Sequence, residues 1–524
     1  MRRLLLAFAS ILCLLSSLRA QDVKLGPVLK EPRKTTILNI VGHHPDRTVI
    51  LKGKPKLRGY SSIELQQLNG SFAMEKLIPL KPMQAENKLD VEFCIESNGG
   101  IYFFGSIVDG SVNTKKLYLL KVNSKTLLPE GSARLISELH FERSARLSTF
   151  SYDFSRDSSK VLIYGNPSLK KREMEEYSIV VLDQDMEQLW AKSITLPYPE
   201  AKFAVEDFAV DNDGNVFVLG VKYAERGESK RRGKPNYEYK ILSYRQDGDD
   251  VDEYSASLGD YFITDMRIDV SPKRDIVCAG FYSEKGTFSI KGSYYLRIDR
   301  KTKAIASQSS KEFGIDFITM NFTEGQERRA KKREAKGKNV ELYEYDLDEI
   351  VPRGDGGAVL VAEQYYVTVV CRTDPKTGVT TCTYYYHYND IIVVSIGPDG
   401  QIEWATKIPK RQTSVNDYGY WSSYAMMIVE DKLHFIFNDT RKNLDIPKQG
   451  KYYNFSVRDK NGVVMLATVD SEGNVERRPL IANAEITAIV RPKLCQQVNS
   501  RQMLLYAKYF KGFGRGSQFG LVTF

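Results

Sequence analysis

Val91-Glu92-Phe93-Cys94, then Gly100-Ile101-Tyr102-Phe103-Phe104-Gly105, is an alternating apolar run, a short polar turn and a nearly continuous apolar run. The same figure returns as Phe208-Ala209-Val210-Asp211 with Asn215-Val216-Phe217-Val218-Leu219-Gly220, and again as Asp348-Glu349-Ile350-Val351 with Ala358-Val359-Leu360-Val361. Alternation marks a half-covered strand, and the unbroken run marks a strand buried on both faces. Recurrence at this spacing is the signature of a structure built from stacked units.

The unbroken second strand recurs at 101–104, 161–164, 216–219, 275–278, 358–361, 433–437 and 503–506. Hairpins follow it: 178–182 turns at Asp183-Gln184-Asp185 into 188–191, and 391–396 turns through Gly397-Pro398-Asp399-Gly400-Gln401. At 524 residues the chain is too long for one compact core. The expected fold is therefore all-β: a single β-propeller of seven four-stranded blades, with six or eight left open because residues 48–51 could form a strand of their own. The last unit stops after its third strand, at 519–524, so strands 62–68 and 72–78 are expected to complete it and remove an unpaired edge.

Residues 1–20 carry Arg2 and Arg3, an apolar run from Leu4 to Leu15 and a small-residue end, which reads as a secretory signal with the mature chain starting near Gln21. The expected division is signal 1–20, N-terminal extension 21–52 and propeller 53–524, with a basic insertion at 314–342 and a long hairpin at 363–390. No other stretch is apolar enough for a membrane helix. Export permits disulfides, and Cys371 and Cys382 flank the turn-forming stretch Thr373 to Val379, so they are expected to pair. Cys94, Cys278 and Cys495 read as buried thiols.

The stretch Gly356-Gly357-Ala358-Val359-Leu360-Val361-Ala362-Glu363-Gln364-Tyr365-Tyr366, with Tyr388-Asn389-Asp390-Ile391-Ile392-Val393-Val394 and Ile402-Glu403-Trp404-Ala405, resembles a segment of secreted bacterial β-propeller proteins of uncharacterised function. The resemblance implies a propeller fold and a secreted, periplasmic or cell-surface place in a bacterium. It supplies no catalytic residues.

Connections between first and second strands, and between third and fourth, are short. The other connections are long and emerge together on the opposite face of a propeller, where loops carry function. Segments 222–238, 324–338, 438–461 and 507–517 on that face carry net +3, +4, +3 and +3, or +13 together, against a whole-chain net of +9, so the remainder of the chain is net negative. Arg231, Arg232, Arg328, Arg329, Lys331, Lys332 and Arg333 are the expected contacts for an anionic partner. Residues 324–338 read as a solvated helix with a capping box at Thr323 and Gln326 and a stop at Gly337. Aromatics crowd the fifth and sixth units counted this way. Tyr365, Tyr366, Tyr384, Tyr386, His387, Tyr418, Tyr420 and Trp421 are the expected ligand contacts, since aromatic planes with polar tips suit sugar rings or peptide side chains.

Chemistry is harder to find. The chain has five histidines, and His43-His44 is the one cluster, placed in a loop. Asp211 to Asn215 and Asp247 to Asp250 lack the closing glutamate of a calcium loop and read as turns. No metal, cofactor or nucleic-acid partner is expected, catalytic residues are unassigned, and oligomeric state is open. The leading expectation is a secreted binding or scaffold propeller for a glycan or peptide. The alternatives are a polysaccharide hydrolase or lyase with axial carboxylates, and a subunit of an envelope complex.

Overall fold

The computed structural model describes residues 22–524 apart from 32–33, 57–58, 143, 145–147, 168–173, 226–227, 248–249, 271–274, 288, 339, 445–451, 458, 483–487 and 512–513. The signal segment lies outside the described residues, as do parts of three basic loops.

Eight sheets carry an antiparallel path of four strands. The first comprises Thr36–His44, Arg47–Pro55, Tyr60–Asn69 and Met74–Leu80, and the second runs from Asp90–Ser97 to Pro129–His140. The third spans Thr149–Phe154 to Gln188–Pro199, the fourth Phe203–Val210 to Asp252–Ala256, and the fifth Phe262–Val270 to Ile305–Glu312. The sixth comprises Tyr345–Pro352, Ala358–Thr373, Thr380–Ile396 and Ile402–Ile408, and the seventh spans Ala425–Val429 to Val475–Ala482. The eighth comprises Ala488–Val490, Gln502–Lys511, Gly514–Thr523 and the N-terminal strand Asp22–Leu25.

Two expectations change here. The seven second strands counted from sequence are joined by an eighth, Arg47–Pro55, in which Val49, Ile50 and Leu51 are fully buried. Each such side chain contributes about 1.5–3 kcal/mol by leaving water. Strands 62–68 and 72–78 pair within that first sheet and do not complete the last unit. That unit is instead completed by Asp22–Leu25, in register Asp22 with Thr523 to Leu25 with Gly520. Much of the segment read as an N-terminal extension thus lies in sheets.

The core is a chain of clusters, each between consecutive sheets. Leu51 and Leu65 meet Phe103 between the first two, Phe104 meets Ile163 between the next, and Trp190 meets Phe208 and Val218 beyond. The series continues with Phe217 and Tyr294, Phe281 and Leu360, Val393 and Phe435, and Leu466 and Met503. The eighth cluster packs Tyr506 and Phe519 of the last sheet on Ile50 and Leu68 of the first. Second and third strands supply most of these residues, because they alone are covered on both faces.

First strands of different sheets meet one another. Leu347 N–H donates to Asp265 at 2.7 Å, and Arg267 bonds Asp207 at 2.5 Å. Asp211 accepts backbone bonds from Asp213 and Asn215 and pairs with Arg300 at 3.2 Å, as turn chemistry requires. His43 and His44 close a strand: His44 meets Glu96 at 2.6 Å and His43 meets Thr48 at 2.7 Å. Cys94 and Cys278 are buried thiols, and Cys495 is partly covered.

Candidate functional site

The sixth sheet departs most from its neighbours. Strands Ala358–Thr373 and Thr380–Ile396 run beyond the rest of the sheet, and residues 367–373 are exposed. Cys371 and Cys382 face each other across this arm as a disulfide, with Cα atoms 4.0 Å apart. At its tip Asp374 accepts the Lys376 N–H at 2.7 Å, and Gly378 supplies the φ of +69° that the turn needs.

The connection after the sixth sheet folds back onto the arm. Gln412–Val415 pairs with Tyr385 to Tyr388, and Lys410 drives a buried ion pair of 2.5 Å into Glu363. Ser423 donates to Glu363 at 2.7 Å, Lys410 also bonds the Tyr388 carbonyl at 3.0 Å, and Gln412 reaches the Asn438 carbonyl at 2.8 Å. The aromatic residues of arm and connection are thereby fixed as one body.

Their roles diverge. Tyr418 is 79% exposed and Tyr384 43% exposed, whereas Tyr386 is 7% and Trp421 9% exposed. Tyr386 packs beside the Tyr418 ring at 5.4 Å, and Trp421 joins Phe455 and Ile489 in a small core. Tyr366 stacks on His387 at 4.3 Å. The His387 nitrogens meet Thr368 and Thr413, and burial together with Arg411 holds its pKa below the ordinary value. Tyr365 lies 4.7 Å from Tyr388.

Tyr388 belongs to a second group that the sequence reading passed over. The first strand of the eighth sheet is interrupted: Ala488–Val490 gives way to a 3₁₀ turn, Pro492–Leu494, before Gln496–Asn499 resumes. That turn sets the Lys493 ammonium 4.4 Å from the Tyr388 ring centre and lets it donate to the Tyr388 hydroxyl at 2.9 Å. The Arg491 guanidinium lies 3.9 Å over Tyr420, and Lys508 donates to the Tyr420 hydroxyl at 3.2 Å. Gly419, at φ +68°, lets the connection press directly on the Tyr388 ring. Tyr420 was expected at a ligand, and its cationic companions were not. Their one sequence trace is Arg491-Pro492-Lys493, where proline disfavours an unbroken strand.

Carboxylates gather on first strands of the third to sixth sheets. Burial pushes Asp265 up to about 6 and Asp348 up to about 7. Asp348 accepts the Tyr424 hydroxyl at 2.6 Å, while Arg156 reaches across from the third sheet to Asp269 at 3.8 Å. Among the described residues no group of His, Cys, Asp and Glu is arranged to hold a metal.

The basic set is spread out. Arg231 pairs with Glu225 at 2.9 Å, Arg232 sits at a turn with φ +51°, and Lys331 pairs with Asp316 and Glu327. Arg328, Arg329, Lys332 and Arg333 are exposed on helix Glu324–Glu334, which Gln326 caps by accepting the Thr323 N–H at 3.0 Å. On the short-turn face a cavity of about 480 Å³ opens between the sixth and seventh sheets, lined in part by Arg353, Asp355, Trp404 and Lys432.

No family model matches the chain, and no curated protein sequence matches it. In structure it is similar to the WD40 domain of SCAP from fission yeast, at 9% identity and a TM-score of 0.40 over 97% of this chain and 96% of that one. It is similar to a protein of unknown function from Dyadobacter fermentans at 8% identity and a TM-score of 0.33, over 97% and 100%. The β-propeller domain of the Trilobed protease from Pyrococcus furiosus gives 10% identity and 0.34 over 87% and 98%. These similarities concern fold alone, and the sheet winding and inter-sheet cores carry the architecture.

Proposed function

We propose that the chain is a closed eight-bladed propeller, exported from a bacterial cell, that binds a glycan or peptide on the face above its sixth to eighth sheets. Ring closure is supported by the pairing of Asp22–Leu25 with Gly514–Thr523 and by the cluster joining last sheet to first. The observation that carries the binding reading is the rigid mounting of exposed tyrosines. Tyr384 and Tyr418 stand on an arm and a connection locked together by strand pairing and a buried ion pair, with a disulfide bracing the arm itself, so little ordering entropy is lost on contact.

Glycan-array and peptide-library screening of the mature protein tests it. Tyr384→Ala with Tyr418→Ala should abolish the captured signal without moving the melting temperature, because both rings are exposed. Full retention of binding in that double variant sinks the assignment.

One observation favours a second reading, a polysaccharide hydrolase or lyase. A carboxyl raised to about 7 beside a tyrosine hydroxyl, as at Asp348, is suited to general acid work. Release of reducing sugar that disappears in Asp348→Asn would support it.

A further inference from the structure

Helix Glu324–Glu334, in the connection from the fifth sheet to the sixth, sorts its charges by side. With 3.6 residues per turn, Arg328, Lys332, Arg329 and Arg333 fall within an arc of about 140° and about 7.5 Å of helix length. All four are exposed, and Lys336 and Lys338 follow, also exposed, in the turn that closes the helix. The acids Glu324, Glu327 and Glu334 lie outside the arc, together with the buried Ala330. Lys331 lies outside it too, and the ion pairs of this helix among the described residues are its own, to Asp316 at 3.1 Å and Glu327 at 2.8 Å.

The helix is mounted on the protein by its other side. It packs on the short helix Ile315–Thr319, whose Ile318 is 3% exposed and whose Phe317 ring lies 4.6 Å from Phe313. Buried Lys407, from the fourth strand of the sixth sheet, donates to the Ile318 carbonyl at 3.0 Å. The four cations are thereby presented outward.

The helix gains little from this arrangement. The macrodipole favours cations in the last turn, which accounts for Lys332 and Arg333 but not for Arg328 and Arg329. Arg328 with Lys332, and Arg329 with Arg333, are like charges four residues apart, and such pairs weaken a helix. Anions laid against this side would remove the repulsion.

Shape narrows the partner. A convex helix side cannot enclose a small anion, and no aromatic plane stands in the arc for a sugar ring. A nucleic-acid groove would wrap the helix and bring phosphates against Glu324, Glu327 and Glu334. A protein partner would need an apolar contact centre that the arc does not offer. Lipid headgroups present anions on one side only, and they move laterally to meet cations where these stand.

We propose that this side of helix Glu324–Glu334 docks the protein on an anionic lipid leaflet, with Arg328, Arg329, Lys332 and Arg333 among the phosphate headgroups. With no apolar side chain in the arc, the contact is electrostatic and nothing enters the hydrocarbon. It is independent of the glycan or peptide site.

The test is sedimentation of the mature protein with vesicles of phosphatidylcholine alone and of phosphatidylcholine mixed with phosphatidylglycerol, at low and high salt. The mixed vesicles should capture the protein, the neutral ones should not, and salt should release it. Each cation at an anionic surface is worth about fivefold in affinity, so Arg328→Gln with Lys332→Gln should weaken capture by about 25-fold. The quadruple variant with Arg329→Gln and Arg333→Gln should fall below detection while keeping its melting temperature, because all four side chains are exposed. Arg328→Lys with Arg329→Lys and Arg333→Lys keeps the charges and should retain capture. A control, Lys54→Gln with Lys81→Gln, Lys121→Gln and Lys125→Gln, removes equal charge from exposed positions in and around the first two sheets and should still be captured. At equal anion concentration, poly-glutamate and duplex DNA should bind more weakly than the mixed vesicles. Equal capture by neutral vesicles, capture that ignores salt, a folded quadruple variant with wild-type capture, an equal loss in the lysine control, or loss in the charge-keeping variant each overturns the proposal. Tighter binding of either soluble polyanion, or no capture by the mixed vesicles, overturns it as well.

Discussion

Lys410 and Glu363 form an ion pair of 2.5 Å whose side chains are 0% and 4% exposed, and it ties the connection after the sixth sheet to that sheet's second strand. Lys410 Nζ also bonds the Tyr388 carbonyl and the Gln412 amide oxygen, at 3.0 and 3.3 Å. One buried cation thus positions the backbone of both Tyr-bearing segments.

Removing one partner leaves the other charge buried and alone. Lys410→Met should cost about 3–5 kcal/mol, whereas Lys410→Met with Glu363→Leu should cost much less, because replacing both members of a buried pair with apolar groups is often near neutral. Urea unfolding of the two variants decides it. Equal losses would mean that the pair holds nothing beyond its own packing.

Gly419 is a second fixed point. Its φ of +68° is strained for any L side chain, and an added Cβ would run into the Tyr388 ring. Gly419→Ala should lower stability by about 1–3 kcal/mol and separate the connection from Tyr388. The fluorescence of Trp421, packed on Tyr420, reports that separation, and a variant with wild-type emission and melting temperature would show that the connection relaxes freely.

Stability should respond to pH through two opposed sets of groups. Asp265 and Asp348 have folded pKa values near 6 and 7, above the ordinary 3.8, so the folded state keeps protons that the unfolded state has released. Their contribution is complete below about 4 and is lost as pH rises through 6 and 7. His434 lies the other way: burial, with Lys432 and Arg478 nearby, holds it down to about 4. Its contribution is present above 6.5 and lost as pH falls through 4. Asp348→Asn should therefore flatten the decline between about pH 4 and 7, and His434→Gln should flatten the loss between 6.5 and 4. Denaturant midpoints across pH 4–8 that are parallel in all three proteins would contradict both assignments.

The legible part of this molecule was what repeats locally. A strand covered on both faces must be apolar at every position, so seven of eight second strands stand out in the sequence. The eighth, Arg47–Pro55, has only a short apolar centre between polar residues, and Asp22–Leu25 is a four-residue outermost strand with little to distinguish it from a linker. The site was half visible for a related reason. A run such as Tyr384 to Tyr388 announces aromatic character, but alternation puts Tyr384, Tyr386 and Tyr388 on one face, and it is position along the arm that leaves Tyr384 exposed while Tyr386 and Tyr388 are buried. Lys493 and Tyr388 are 105 residues apart, and their contact depends on a single 3₁₀ turn inside a strand. Nothing local encodes such a meeting.

The disulfide Cys371–Cys382 should matter for the arm and little for the whole. Residues 367–373 are exposed and bury almost nothing against other sheets, so their opening need not open the core. The closed loop is also short, with a sequence separation of 11 residues, which limits the chain entropy that the bond removes from the unfolded state. Cys371→Ser with Cys382→Ser should therefore leave the global unfolding midpoint nearly unchanged while amide exchange rises across 367–384. If exchange spreads instead into Glu363, Lys410 and Gln412–Val415, the arm and the connection open as one unit. The disulfide would then be holding Tyr384 and Tyr418 in their common frame, and the double variant should lose ligand binding in proportion to that opening.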